Sequence, residues 1–225
     1  MHAVGVLQKC LADVLGHMHA ARSRTLLEAV SALLAGRRLV LMDLARAWPG
    51  AERVRAPLKR LDRLLGNPFL QAECRTLYGA MAQWLIRHPR PVIIIDWSEL
   101  QPNGRWHLLR AGIPIGGRTV TIFEAVYPER LKNSPRAEGQ LLVQLCKLLP
   151  AGVTPVVVTD AGFRAPWFRA VRRLGWDYVG RVRHRTRVRL GPRGPWVHNR
   201  DLHRLATRAP TRYDGVQIAD RKSVV

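Results

Sequence analysis

The spacing of apolar residues changes at the proline-rich segment 88–91, and this change restricts the folds open to the chain. Before the segment, apolar residues recur every three or four positions, which is typical of helices. After it come short unbroken apolar runs, the first of them at residues 92–95. Such runs are typical of strands that are covered on both faces. The sequence therefore predicts a helical part over residues 1–90 and a sheet-based part from residue 91 onward.

The helical part is predicted to contain a pair of helices joined by a turn. Thr25 and Glu28 match a capping box at the start of an earlier helix, which Gly36 would end. A short helix through Leu44 and a longer one over 54–65 follow, separated by a turn at 48–52. This order is typical of a helix-turn-helix unit that reads the major groove of DNA.

The longer helix carries a basic stripe on the side opposite its leucines. Its members, spaced four residues apart, are Arg55, Lys59 and Arg63. We interpret the stripe as a DNA-binding surface. The alternative is an ordinary solvated helix face in an arginine-rich protein.

The charge of the chain favours a polyanionic partner. Thirty-seven Lys and Arg against 16 Asp and Glu give a formal net charge of +21, while 47% hydrophobic residues suffice for a core. No apolar run is long enough to span a bilayer, so nucleic acid is favoured over a membrane surface. Cys10, Cys74 and Cys146 show no disulfide or zinc spacing and are interpreted as buried thiols. The protein is therefore expected in the cytoplasm of a bacterium, associated with the nucleoid.

The sheet-based part has the element order of a ribonuclease H-like fold. The predicted strands are 92–95, 106–111, 118–126, 155–159 and 176–182, and the predicted helices are 136–149 and 166–174. Three antiparallel strands followed by two parallel ones would give a mixed five-stranded sheet with flanking helices, an α+β or α/β class. In this topology the first and fourth strands are neighbours at the centre of the sheet.

Two aspartates close these two central strands. Asp96 ends the first apolar run and Asp160 ends the fourth, so both are expected at one edge of the sheet. Neighbouring carboxylates repel unless a cation compensates them, and Mg²⁺ or Mn²⁺ prefers such oxygen ligands. The pair predicts a metal-dependent reaction at a phosphodiester. The alternative for each residue alone is a turn or a helix N-cap.

The same residues carry a resemblance to a known family. Residues 92–100, VIIIDWSEL, and 156–183, VVVTDAGFRAPWFRAVRRLGWDYVGRVR, resemble the DDE transposases of bacterial insertion sequences, in the insertion-sequence-four branch. The resemblance implies a core that binds two metal ions, nicks transposon ends and joins them to target DNA. It assigns Asp96 and Asp160 to the first two acids of the catalytic triad.

The third acid of that triad is not found. The resemblance implies a Glu in a Tyr, Arg, Glu, Lys signature, whereas residues 183–225 contain only three acids and no Glu: Asp201, Asp214 and Asp220. Glu99 is a poor substitute, because in a continuing strand it would point away from Asp96. We therefore expect a chain that stops within a β-rich insertion, through truncation or a frameshift, and that is inactive in transposition.

Further arginines complete the predicted DNA surface. Alternating residues of one strand would present five guanidinium groups on one face: Arg181, Arg183, Arg185, Arg187 and Arg189. The alternative is a solvated edge strand protected from aggregation by charge. Arg164 lies beside Trp167 and Phe168, which are candidates for contact with a DNA end, whereas Trp97 and Trp176 are predicted to be core.

These inferences define three segments and one function. Residues 1–90 are predicted to bind DNA, 91–183 to form the first part of the catalytic core, and 184–225 to begin a β-rich insertion. The predicted function is DNA transposition on double-stranded DNA, with a possible homodimer at paired transposon ends. The alternatives are a non-catalytic DNA-binding remnant and a ribonuclease H-like nuclease.

Overall fold

The chain folds as two compact units in the computed structural model, which describes residues 3–183, 186–220 and 223–224. One unit comprises residues 1–87 with 148–150, and the other comprises residues 88–147 with 151–225. Among the described residues, no helix is both long and apolar enough to cross a membrane.

The first unit is helical. Its six helices are α1 (Ala3–Cys10), α2 (Ala12–His17), α3 (Ala20–Gly36), α4 (Leu41–Arg46), α5 (Arg55–Leu65) and α6 (Pro68–Leu85). Two apolar clusters hold them together. One cluster gathers Leu11, Leu15, Met18, Leu64 and Leu70. The other gathers Ala32, Leu44, Ala45, Trp48 and Leu61.

The predicted start of the third helix is wrong, although its end is confirmed. α3 begins at Ala20, after His19 as N-cap, and ends at Gly36. Thr25 therefore lies inside the helix, where its hydroxyl donates to the carbonyl of Ala21 at 2.8 Å. A Thr hydroxyl can satisfy itself on the preceding turn in this way, so the capping pattern did not mark a helix end.

The second unit is built on a mixed five-stranded sheet. Its strands are β1 (Val92–Glu99), β2 (Trp106–Ile115), β3 (Arg118–Pro128), β4 (Val156–Thr159) and β5 (Asp177–Gly180), in the order β3-β2-β1-β4-β5. β1 pairs with β2, and β2 with β3, in antiparallel fashion. β4 lies parallel to both β1 and β5. The predicted ribonuclease H-like fold class is confirmed.

Two helices connect the later strands. α7 (Pro135–Leu148) leads from β3 to β4, and α8 (Ala165–Arg173) leads from β4 to β5. Fully buried side chains of the sheet and of α7 form the core, among them Ile93, Ile95, Leu109, Leu141, Leu145 and Val157. They alternate along β1 with more exposed residues, so one face of the strand is covered far better than the other.

A smaller antiparallel sheet follows. Its strands are β6 (Arg187–Arg189), β7 (Val197–His198), β8 (Gln217–Asp220) and β9 (Ser223–Val224), in the order β7-β6-β8-β9. The interpretation of 184–225 as a β-rich insertion, like the other two segment boundaries, stays a prediction.

Cys74 and Cys146 are exposed and Cys10 is partly exposed, so the expectation of buried thiols is wrong.

Candidate active site

Asp96 lies within β1 rather than at its end. The strand continues for three residues to Glu99, because Trp97 and its neighbours still have partners on β2. Asp96 itself pairs across the sheet with Arg110, so the two side chains share one face. The Arg110 guanidinium is held by Glu124 of β3, with 3.0 Å between Nε and Oε2.

Asp160 follows the last residue of β4. Ile95 pairs with Thr159, so the next positions along these parallel strands are Asp96 and Asp160. The Asp160 carboxylate accepts a hydrogen bond from the backbone N–H of Gly162 at 2.8 Å. A Cβ at Gly162 would lie 2.9 Å from the same oxygen, so this turn needs a glycine to leave the carboxylate room.

The charge of the Asp160 carboxylate affects the ionisation of Asp96. Burial first, and the charge of Asp160 second, raise the pKa of Asp96, whereas a hydrogen bond from the Trp97 backbone opposes the rise. Holding both groups ionised is therefore unfavourable without a cation. A divalent ion with oxygen preference fits this donor set. Among the described residues, no group of three or more Asp, Glu, His or Cys side chains comes together, so the candidate site is a pair.

Glu138 is a buried acid that the sequence analysis missed. It lies in the first turn of α7 and is only 5% exposed. Burial raises its pKa from 4.5 to about 7, while Trp97 and the charge of Arg164 act in the opposite direction. The buried Trp97 indole N–H makes no hydrogen bond of normal geometry, but its proximity favours the charged carboxyl.

The position of Glu138 in the helix pattern was the available signal. It precedes Leu141, Leu142 and Leu145 at helical spacing, on the side of α7 that is buried. An acid on such a face is unusual and marks a constrained environment. Glu138 thus lies near Trp97, the residue after Asp96, and is influenced by the charge of Arg164, four residues after Asp160.

Glu99 lies apart from the pair, as expected from strand alternation. It lies three positions after Asp96, an odd offset along a strand, so it projects from the opposite face of β1. Its carboxylate pairs with Lys132 at 3.4 Å.

The predicted arginine comb does not form as one strand. β5 ends at Gly180 because its neighbour β4 ends at Thr159, whose carbonyl accepts a last hydrogen bond from the Arg181 N–H at 3.2 Å. Among the described residues that follow, strand pairing begins again at Arg187 in β6. Arg185 lies outside the described residues.

The described arginines of this series have different environments. Arg181, Arg183 and Arg187 are exposed, as is Arg164. Arg183 donates from Nε to the carbonyl of Ala161 at 2.5 Å, which fixes it beside the turn that carries Asp160. Arg189 instead stacks over Trp196, with its guanidinium carbon 5.0 Å from the ring centroid, and bonds Gln217. The guanidinium of Arg189 is thus bound to other residues of the protein through both contacts.

The aromatic predictions are partly corrected. Trp167 is 1% exposed, so it is a core residue and does not reach a DNA end. Trp176 is buried at 7% exposure, as predicted. Phe168 is half-buried and lies against Tyr178, with ring centroids 4.6 Å apart.

The basic stripe of the first unit is exposed along its whole length. Arg55, Lys59 and Arg63 all face solvent on α5, whereas Leu61 and Leu64 are buried behind them. This geometry agrees with both interpretations of the stripe, since either one needs an apolar back and a solvated front.

Comparison with known families gives one match. Residues 87–221, more than half of the chain, match the family model described as Transposase DDE domain. The matched segment includes both Asp96 and Asp160. Searches of curated proteins and of solved structures find no match.

Proposed function

Because the chain belongs to the transposase DDE domain family, we propose that it binds the ends of an insertion sequence and acts on their phosphodiester bonds. The observation that carries this proposal is the placement of two carboxylates on adjacent parallel strands, where the charge of one raises the pKa of the other. The two segments that resemble the insertion-sequence-four branch, 92–100 and 156–183, each contain one of these residues. Membership of that branch is part of the proposal.

The divalent ion is assigned to this pair. Families with this domain generally use divalent metal ions. Asp96 and Asp160 would hold Mg²⁺ or Mn²⁺, which when bound supplies charge stabilisation and an activated water or hydroxyl at the phosphodiester. The turn at Gly162 orients the Asp160 carboxylate through its N–H. Asp96 is exposed, so an ion can reach its carboxylate, and the nearby charge of Asp160 favours binding of a cation there.

The DNA is proposed to lie along exposed arginines. Arg164 and Arg183 flank the turn that carries Asp160, and Arg181 and Arg187 are exposed nearby in sequence. Planar guanidinium groups bind phosphate oxygens in bidentate fashion. The α5 stripe would bind a transposon end, and a second copy of the chain would hold the other end. Transposition by the 225-residue chain is expected to fail, because two carboxylates alone would hold a metal ion only weakly.

A metal-binding and nicking experiment tests the proposal. Mn²⁺ binding to the purified chain is measured by electron paramagnetic resonance, and nicking of a supercoiled plasmid is measured with and without Mn²⁺. Asp96→Asn and Asp160→Asn should each abolish Mn²⁺ binding and any nicking. Asp201→Asn, an acid in the second unit that is remote in sequence from the pair, should change neither.

Each outcome has a distinct meaning. Mn²⁺ binding that survives both substitutions would overturn the site. Nicking without joining of DNA ends would favour the nuclease alternative, whereas DNA binding without any cleavage would favour a non-catalytic DNA-binding protein. Robust strand transfer by the 225-residue chain would contradict the expected inactivity in transposition.

A further inference from the structure

A cleft opens beside the turn that carries Asp160. It is small, with a volume of about 100 Å³, and it opens to solvent. Its walls come from this turn, from α8, from β5 and the residues after it, and from β8. The lining includes Arg164, Phe168, Tyr178, Gly180, Arg181 and Arg183.

An aromatic pair forms one wall of the cleft. The rings of Phe168 and Tyr178 lie 4.6 Å apart at 37°, and both residues are half-buried. Phe168 packs directly over Gly180, where an added Cβ would lie 2.5 Å from the ring atom Cζ. The ring is therefore seated on bare backbone. A π surface held at a cleft wall in this way can stack a further flat ring.

The charged members of the lining are all basic. Arg164, Arg181 and Arg183 are exposed, and the described lining contains no acid. The hydrogen bond from Arg183 to the Ala161 carbonyl sets its guanidinium at the side of the cleft nearest Asp160. An anionic group joined to a flat apolar ring matches this combination, and a nucleotide has both parts.

We propose that this cleft binds one unpaired nucleobase of the DNA strand, stacked against Phe168 and Tyr178, with the adjoining phosphate held by Arg164, Arg181 or Arg183. The proposal rests on the proposed action on DNA and deepens it. The cleft adjoins Asp160 through Ala161 and Gly162, so a base seated there would set which phosphodiester faces the two aspartates. Because stacking uses the π face that all bases share, the cleft should accept any base.

Photochemical crosslinking tests occupancy without any need for catalysis. A duplex with a short single-stranded overhang containing 5-iodo-deoxyuridine is irradiated with the full chain in EDTA, and the linked residue is identified by mass spectrometry. Linkage to Phe168 or Tyr178 is expected, also in Asp96→Asn. Linkage only at aromatic residues outside the cleft, or none, would overturn the proposal. Linkage without nicking activity would retain the cleft and count against the proposed reaction alone.

Affinity measurements separate base stacking from general charge attraction. Phe168→Leu keeps apolar volume but removes the π face. It should weaken binding of the overhang duplex at least about fivefold, the low end of one base–aromatic stack, and leave a blunt duplex of equal length unaffected. Phe168→Trp should restore overhang binding. Phe69→Leu is the matched control, because it removes an exposed ring of α6 that lies beside Arg22. It should change the binding of neither duplex.

Two results would contradict the cleft model in this experiment. One is equal weakening of overhang and blunt duplexes by Phe168→Leu in a variant whose circular dichroism matches the parent. The other is unchanged overhang binding in both Phe168→Leu and Gly180→Ala, since the added Cβ must displace the Phe168 ring.

Discussion

Asp96 is suited to binding a cation, and in the absence of a cation it lowers the stability of the folded protein. Its ionised carboxylate is disfavoured by burial and by the charge of Asp160. Asp96→Asn removes both costs, so the metal-free variant should unfold at a higher temperature at neutral pH than the parent. The measurement is thermal unfolding in EDTA. Because the parent alone should bind Mn²⁺, added Mn²⁺ should stabilise the parent and leave the variant unchanged.

Glu138 predicts a specific dependence of stability on pH. Its pKa is raised from 4.5 to about 7, so the folded protein binds more protons than the unfolded chain between these values. The contribution of Glu138 to the free energy of unfolding should therefore be fully present below pH 4.5 and decline as pH rises to 7. At 1.36 kcal/mol per unit, the loss is about 3 kcal/mol.

Glu138→Gln isolates this contribution. The amide cannot ionise, so the variant should match the parent near pH 5 and exceed its unfolding free energy near pH 8. Urea unfolding at the two pH values measures this, and Glu52→Gln, an exposed acid, serves as control. Parallel pH profiles for the parent and Glu138→Gln would show that the Glu138 carboxyl does not titrate in this range.

At the scale of elements, α6 depends on the N-cap residue that precedes it. Asn67 is the N-cap, and its Oδ1 accepts from the N–H groups of Phe69 at 3.0 Å and Leu70 at 3.2 Å. Asn67→Ala should lower the free energy of unfolding by about 1 kcal/mol, whereas Asn67→Ser should retain most of it. Urea unfolding of the three proteins measures the difference. Equal losses in both variants would show that the cap oxygen is not responsible.

Local sequence predicted elements better than their ends. The apolar runs placed the five strands of the larger sheet and both of its helices, because period and β-branching are local properties. Where β1 and β5 end depends on how far their neighbours extend, which is a property of pairing. Trp97 therefore joined a strand that was expected to end at Asp96, and Arg181 left one that was expected to continue.

From the sequence, the pair of aspartates in the candidate site could be predicted, but most of their surroundings could not. The two aspartates follow from topology, since adjacent parallel strands bring their carboxyl ends together. Burial of Trp167 depends on which face of its helix meets the sheet, whereas the leucines that follow Glu138 at helical spacing already marked its face of α7 as the buried one. The Arg183 hydrogen bond to Ala161 joins residues 22 apart in sequence and has no local signal.

The α5 stripe makes a prediction at this same scale. Replacing Arg55, Lys59 and Arg63 together by Gln should reduce the magnitude of the salt slope of DNA binding by up to about 2.7, at 0.9 per phosphate. Fluorescence anisotropy of a labelled duplex over a salt series measures the slope. The matched control replaces three other exposed arginines, Arg118, Arg130 and Arg193, by Gln. An equal reduction in the control would mean that net charge alone acts, and that the stripe is an ordinary solvated face.

At the scale of the whole molecule, a net charge of +21 predicts that DNA binding is dominated by released counterions. If six of the proposed basic side chains each neutralise one phosphate, the logarithm of affinity should fall with the logarithm of salt at a slope of about −5. Duplexes of unrelated sequence should give the same slope, because their phosphates are alike. An end-specific contact would raise affinity for one duplex without changing the slope. Binding that ignores salt would contradict the arginine surface and would require a mainly apolar interface, for which the exposed faces of α5 and of residues 181–183 provide too few apolar groups.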